Sequence, residues 1–182
     1  MRLLPFYSLL TAAACAGLVS CSDSKTDVLP ENVIAHNDLE SVEGWAPANP
    51  ALTTAKAHSG RYSMRVDNDI EYGVGYGALL AKVSPTRLKK LELSAWVLLT
   101  GKETEAKLVI EVKNPADDSQ KVFWEAIALG DEVKALNKWT EVKKTFTMPE
   151  NIAPTHELRF YLWRGGSSQP VFVDDITLAR AE

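Results

Sequence analysis

The sequence is poor in cysteine and has no excess of basic residues. Its 182 residues include two cysteines, and its formal net charge is −4. A domain that binds nucleic acid usually carries a basic stripe, so the charge argues against that class. No apolar run after residue 20 is long enough to span a membrane. With 46% hydrophobic and 24% charged residues, the chain is typical of one globular domain with a buried core.

The chain also lacks the common catalytic motifs. Its three histidines do not have the spacing of metal ligands. No helix is predicted after Gly73-x-Gly75-x-Gly77, so a phosphate cradle is not expected. Glu111 and Glu125 are the carboxylates that a glycosidase could use, but nothing in the sequence brings them together. We therefore predict that the protein is not an enzyme.

The N-terminus is typical of a secretory signal sequence. A basic start is followed by a mostly apolar segment from Leu3 to Val19. The segment ends in Leu18-Val19-Ser20-Cys21, which resembles the bacterial lipoprotein box, where the cysteine becomes lipidated and N-terminal. We predict a signal peptide over residues 1–20 and acylation of Cys21, with palmitate among the chains, that anchors the protein to a membrane. The alternative is cleavage nearby that leaves Cys21 as a free thiol.

Residues 21–33 are predicted to comprise the lipidated cysteine and a flexible tether. The stretch after Cys21 is polar and acidic and contains Pro30. Ser22 resembles the sorting pattern of Gram-negative lipoproteins, in which a residue other than aspartate favours the outer membrane. We therefore expect a lipid-anchored location in the cell envelope, at the outer membrane.

Residues 34–182 show short runs with strand alternation, separated by turn residues. In the clearest run, Leu91 to Leu99, every second residue is apolar. Two closing strands are predicted over Leu158–Trp163 and Val171–Leu178, an opening strand over Asn37–Glu40, and at most a short helix near residues 131–135. This spacing predicts an all-β jelly-roll β-sandwich of two antiparallel sheets.

Asp174 interrupts the apolar pattern of the last predicted strand. By alternation it lies on the same side as Phe172, Ile176 and Leu178, so we expect it to point into the core. A buried carboxylate needs either a cation or several N–H donors. Both alternatives remain open at this stage.

Several short motifs, taken in order, resemble the jelly-roll carbohydrate-binding modules of bacterial glycanases, which have a galactose-binding-domain-like fold. They are Asn37-Asp38-Leu39-Glu40, Gly44-Trp45, Ser59-Gly60-Arg61-Tyr62-Ser63, Leu93-Ser94-Ala95-Trp96-Val97, Trp139-Thr140, Phe146-Thr147-Met148-Pro149 and Val173-Asp174-Asp175-Ile176. The resemblance covers nearly all of the chain after residue 34. It implies that the partner is a polysaccharide or oligosaccharide.

The resemblance also implies a structural calcium ion that ties the first strand to the last. Carried over residue by residue, Glu40 and Asp174 would be its side-chain ligands. Main-chain oxygens near Asp38 and near Ser59-Gly60-Arg61 would complete the shell. Calcium takes six to eight oxygen ligands, which suits such a set.

Sugar binding needs aromatic rings that stack on pyranose faces and polar groups that bind hydroxyls. On outward strand positions the sequence offers Arg159, Tyr161, Trp163, Trp96 and Glu111. Alternation leaves the side of the sheet on which Trp124 lies undecided, and it is a sixth candidate. Tyr72 and Tyr76 are expected on a loop at the rim, and packing in the protein is the alternative for each ring.

The leading functional hypothesis is therefore a non-catalytic, glycan-binding lipoprotein of the bacterial cell envelope. The alternative is a structural or scaffold lipoprotein that uses the same face to bind an envelope protein. An apolar patch without a groove would favour the protein partner, whereas a cleft with polar groups would favour the glycan. Burial of both Tyr161 and Trp163 would contradict the leading hypothesis.

Overall fold

The structure of the chain is a computed structural model, and it describes residues 29–41 and 49–182, apart from the side chains of residues 118–120. The predicted signal peptide, Cys21 and most of the predicted tether lie outside the described residues. The Gly44-Trp45 motif lies outside them too. Helices of the described residues are too short to cross a membrane.

The described residues form ten strands and two four-residue helices. In chain order the elements are β1 (Val33–Asn37), β2 (Leu52–Thr53), β3 (Ser63–Val66), β4 (Tyr76–Leu79), α1 (Leu80–Val83), β5 (Lys90–Leu99), β6 (Lys107–Asn114), β7 (Asp117–Ala128), α2 (Leu129–Glu132), β8 (Thr140–Thr147), β9 (Glu157–Trp163) and β10 (Val171–Ala181).

The strands form two antiparallel sheets. The six-stranded sheet has the order β2-β3-β10-β5-β8, and β1 also pairs with β10. The four-stranded sheet has the order β4-β9-β6-β7. The predicted all-β sandwich is confirmed, and its two closing strands, β9 and β10, belong to different sheets.

Alternation along the long strands places one face of each sheet in the core. Leu91, Leu93, Ala95 and Val97 of β5 are all buried there. The four-stranded sheet contributes Leu108, Ile110, Val112, Leu158, Phe160 and Leu162. Burying each such side chain contributes about 1.5–3 kcal/mol, and a slip of one residue would expose a whole set to water. The core therefore fixes which residues of each strand point outward.

The opening strand lies earlier in the chain than predicted. β1 ends at Asn37, and Leu39 has a positive φ of 65° that a strand does not allow. The Asn37 side chain accepts a hydrogen bond from the Leu39 N–H at 2.7 Å, and Asp38 accepts one from the Glu40 N–H at 3.1 Å. These bonds turn the chain locally, which sequence alternation alone did not reveal.

A β-bulge in β10 overturns the predicted direction of Asp174. Val173 and Ile176 both lie in the core although they are three residues apart, because the pairing of β10 with β5 shifts between Asp174 and Thr177. Asp175 at the bulge has a φ of 46°. Asp174 therefore points away from the core, on the outer face of the six-stranded sheet opposite Trp96. It is nevertheless fully buried, as expected for a residue that needs partners.

Candidate functional site

Five of the six residues predicted to contact sugar lie on one surface, the outer face of the four-stranded sheet. Arg159, Tyr161 and Trp163 alternate with the core residues of β9, and each remains partly exposed. Glu111 of β6 pairs with Arg159 on one side and with Trp124 of β7 on the other. Directly paired residues share a face, so the position of Trp124 is settled by this register.

Trp96 is the candidate that the structure does not bring to this surface. It lies in β5 on the outer face of the other sheet, opposite Asp174. The His58 ring stacks on its indole, with centroids 3.8 Å apart and an angle of 12° between the planes. His58 also meets Trp139 edge-on at 5.7 Å. One face of Trp96 is thus already occupied by the protein itself.

On the four-stranded sheet, two aromatic side chains lie across β6. The Trp124 Nε1–H on β7 donates a hydrogen bond to the Tyr161 hydroxyl on β9 at 3.2 Å. Between them, Val109 is fully buried and Glu111 is only 7% exposed, although both point away from the core. The two rings therefore cover the middle of β6 and form a broad platform. The Trp124 side chain in this platform remains 38% exposed.

The Tyr161 hydroxyl is held in its neutral form at this point. Burial raises the pKa of Tyr161, the Trp124 bond opposes that shift, and the charge of Glu111 adds to it. The hydroxyl accepts a hydrogen bond from the indole, which restrains the orientation of the ring.

Beside the platform, at the β4 edge, is a groove of about 470 Å³. Tyr72 and Tyr161 line it and meet edge-on, with ring centroids 5.9 Å apart. Tyr72 is 53% exposed, so its ring is available for contact. The sequence placed Tyr72 and Tyr76 on a rim loop, whereas Tyr76 begins β4 and Tyr72 makes a bridge to Trp163.

The polar groups of the groove are already oriented. Arg159 Nε donates to Glu157 Oε2 at 2.7 Å, and Glu111 lies 3.9 Å from the Lys121 ammonium. Glu157 is not among the site residues predicted from the sequence. The signal was its spacing of two residues from Arg159, which puts the carboxylate and the guanidinium on one face of a strand. Glu125, by contrast, lies at the β7 edge beside Lys144, with 3.2 Å between the charged atoms.

Trp163 lies at the other end of the same surface. Its Nε1–H donates to Glu71 Oε1 at 3.3 Å, and the Lys107 ammonium lies 5.2 Å from the centroid of its ring. Lys107 and Trp163 are direct partners between β6 and β9. The surface therefore carries exposed aromatic carbon together with charged groups along its whole length.

Asp174, one of the two residues expected to bind calcium, accepts three backbone N–H bonds. Its Oδ2 accepts from His58 at 2.8 Å and from Ser59 at 3.3 Å, and its Oδ1 accepts from Asp175 at 2.8 Å. Burial raises the pKa of Asp174, and these three bonds oppose the shift because they stabilise the carboxylate.

Glu40, the other expected ligand, holds the next residues of the same loop. Its Oε1 accepts the N–H groups of Arg61 at 2.8 Å and Tyr62 at 2.7 Å. Gly60, the residue before Arg61, has a φ of 54°, and a Cβ there would lie 2.3 Å from the Glu40 Cδ. Only glycine allows this approach.

Both carboxylates are thus satisfied by N–H donors of residues 58–62 and 175. Among the described residues, no three or more His, Cys, Asp and Glu side chains are grouped so as to hold a metal ion. The predicted shell has only two side-chain ligands, Glu40 and Asp174, with main-chain oxygens for the rest, and calcium stays a prediction.

Comparison with known families now identifies the chain. The model of a family described as a carbohydrate binding domain matches residues 31–169. The chain belongs to this family. The match covers all four strands of the sheet that carries the groove, so the predicted resemblance is confirmed. No curated protein matches the chain.

Solved structures show the same jelly-roll architecture. One is the C-terminal family 22 carbohydrate-binding module of Clostridium thermocellum Xyn10B, at 13% identity and a TM-score of 0.50 over 82% of this chain and 95% of that one. Another is a family 22 tandem from Paenibacillus barcinonensis Xyn10C, at 16% identity and a TM-score of 0.53 over 82% of this chain and 46% of that one. A third is described as a xylan-binding domain, at 12% identity and a TM-score of 0.51 over 83% of this chain and 96% of that one.

Proposed function

We propose that the protein is a non-catalytic glycan-binding module and that its ligand lies on the outer face of the four-stranded sheet. The observation that carries this proposal is the groove, in which exposed tyrosine rings stand beside an oriented guanidinium and two carboxylates. A pyranose offers apolar C–H groups to the rings and hydroxyls to the charged groups, so both types of contact can form together.

The charged groups favour a glycan over a protein partner. Arg159, Glu157 and Glu111 line the groove, whereas the fully buried core of a protein interface is depleted in charge. A sugar hydroxyl can accept from the guanidinium and donate to a carboxylate without either charge losing its partner. Tyr161 and Trp163 are both partly exposed, so the condition that would have contradicted the leading hypothesis is not met.

Xylan is the first polysaccharide to test. The third structural relative is described as a xylan-binding domain, and it shares this chain's fold. We expect the purified protein to bind xylohexaose or another glycan of an array, and we expect Tyr161→Ala to weaken that binding by about tenfold. Thr145→Val, on the outer face of the other sheet, is the matched control. Absence of binding to every glycan would contradict the proposal.

Glycan hydrolysis is a second candidate function, because two carboxylates, Glu111 and Glu157, line the groove. Glu157 is ion-paired with Arg159 at 2.7 Å, so its carboxylate already has a partner within the protein. We therefore propose binding alone. Release of reducing sugar from xylan, lost in Glu111→Gln, would overturn this choice.

We further propose that Cys21 carries the lipid anchor and that the module acts at the cell envelope, at the outer membrane. The support is the lipoprotein box and the absence of another cysteine after the predicted cleavage point. Because acyl chains supply the membrane affinity, Cys21→Ser should move the protein from the membrane fraction to the soluble fraction. An unchanged distribution would contradict the anchor.

A further inference from the structure

The groove has a floor without side chains. Gly75 and Gly77 are both exposed and both line it. Gly77 pairs directly with Arg159, so a side chain at this position would point outward beside the guanidinium. Tyr76, between the two glycines, pairs with Phe160 and packs against the core instead.

The backbone does not require glycine at position 77, whereas a Cβ at Gly75 would lie 3.3 Å from the Phe160 carbonyl oxygen. Neither has a positive φ, which in the described residues is found only at Gly60 and Gly165 among the glycines. A Cβ at Gly77 would first meet the flexible end of Glu157, at 3.1 Å from Oε1. Glycine in a strand weakens it by leaving nothing to pack, so an exposed edge position without steric need for glycine suggests another use.

Gly75 and Gly77 leave an open space on the groove floor, here named the seat, and this space is limited in size. Two strand residues span about 7 Å, and Leu79, the next outward position after Gly77, restores a side chain opposite Glu157. Tyr72 closes the other end. The cleared floor is therefore bounded along the strand, with a ring at one end and an aliphatic side chain at the other.

The charges around the seat are of both signs. Glu111, Glu157 and Arg159 line the groove, and the Lys121 ammonium lies 3.9 Å from Glu111. A sugar placed there would meet both donors and acceptors for its hydroxyls.

We propose that one sugar unit of the bound glycan sits over Gly75 and Gly77, between Tyr72 and Arg159. The inference rests on the proposed function and adds the position of the sugar. The platform of Trp124 and Tyr161 then supports a neighbouring unit of the chain.

The test adds a side chain at Gly77, which points outward, and leaves the core residues unchanged. Binding of xylohexaose and cellohexaose is measured by isothermal titration calorimetry for the wild type, Gly77→Ala and Gly77→Val. Valine suits an edge strand, so the variant should fold. We expect the alanine variant to lose about threefold and the valine variant at least tenfold in affinity for the glycan.

Thr145→Val, which places a valine at an outward position of the opposite sheet, is the control. Unchanged binding in Gly77→Val, or an equal loss in Thr145→Val, would overturn the seat. A wild type that binds nothing on a glycan array would instead overturn the proposed function itself.

Discussion

The outer faces of the two sheets hold similar residue types but differ in what those residues touch. On the six-stranded sheet, Trp96 is stacked by His58, and the His58 Nδ1 lies 2.5 Å from the Asp175 carboxylate. On the four-stranded sheet, Tyr72 and Trp124 keep much of their surface in water. The aromatic and acidic residues of the six-stranded sheet thus contact one another, whereas the aromatic rings of the four-stranded sheet remain accessible to a ligand.

The loop of residues 58–62 makes this difference. On the six-stranded sheet it supplies its N–H groups to Asp174 and Glu40 and its histidine ring to Trp96. On the four-stranded sheet the edge strand β4 contains Gly77 and begins just after Gly75, and both glycines line a groove. The comparison teaches that an outward aromatic residue becomes a candidate for binding only where no neighbouring segment covers it.

Removal of the Asp174 carboxylate should have the largest effect on stability, because this group holds the loop that covers the six-stranded sheet. Asp174→Ala leaves three backbone N–H groups without their acceptor and should lower the free energy of unfolding by about 3 kcal/mol or more. Urea denaturation measures the loss, with Asp131→Ala at an exposed position as the control. A change below about 1 kcal/mol would mean that Asp174 does not hold the loop.

Calcium removal should change stability on the same face less than the loss of Asp174 does. If an ion held near Glu40 and Asp174 stabilises the fold, excess chelator should lower the thermal midpoint by about 5 °C, and added calcium should restore it. Glu40→Gln should abolish that response, because it removes a charged ligand. An unchanged midpoint would show that the N–H donors suffice without the ion.

A smaller effect separates the two faces directly. Trp96→Ala removes the stacking partner of His58 and should cost about 1 kcal/mol of stability while glycan affinity stays within about twofold of wild type. Tyr161→Phe should lower glycan affinity more than stability. The ring remains packed, but the hydroxyl that accepts the Trp124 hydrogen bond and orients the platform is lost. A loss of glycan binding in Trp96→Ala would show that both faces bind.

Much of the site was predictable from strand alternation. The pattern of β9 placed Arg159, Tyr161 and Trp163 together on an outward face, and the pattern of β6 placed Glu111 outward. These strands have an unbroken period of two, so the core determines the orientation of every residue in them. Trp124 could not be assigned, because both sides of β7 carry apolar residues and β7 is an edge strand.

The prediction was wrong where the backbone leaves the regular strand. The bulge at Asp175 reversed the direction of Asp174, and the turn at Leu39 moved the opening strand. Bulges and Asx turns depend on hydrogen bonds to distant or neighbouring backbone groups, which alternation does not encode. Glu157 was missed for a different reason, since its role depends on which strand, β4, lies beside it.

The sequence by itself determined the fold class, the outward set of β9 and the requirement that Asp174 have partners. These follow from periodicity and from the cost of burying a charge, which are local properties. Only the tertiary structure decided that Trp96 lies on a different sheet from the other candidates and that Gly75 and Gly77 line a groove. Those facts depend on sheet order and on loop position, which bring together residues that are far apart in the chain.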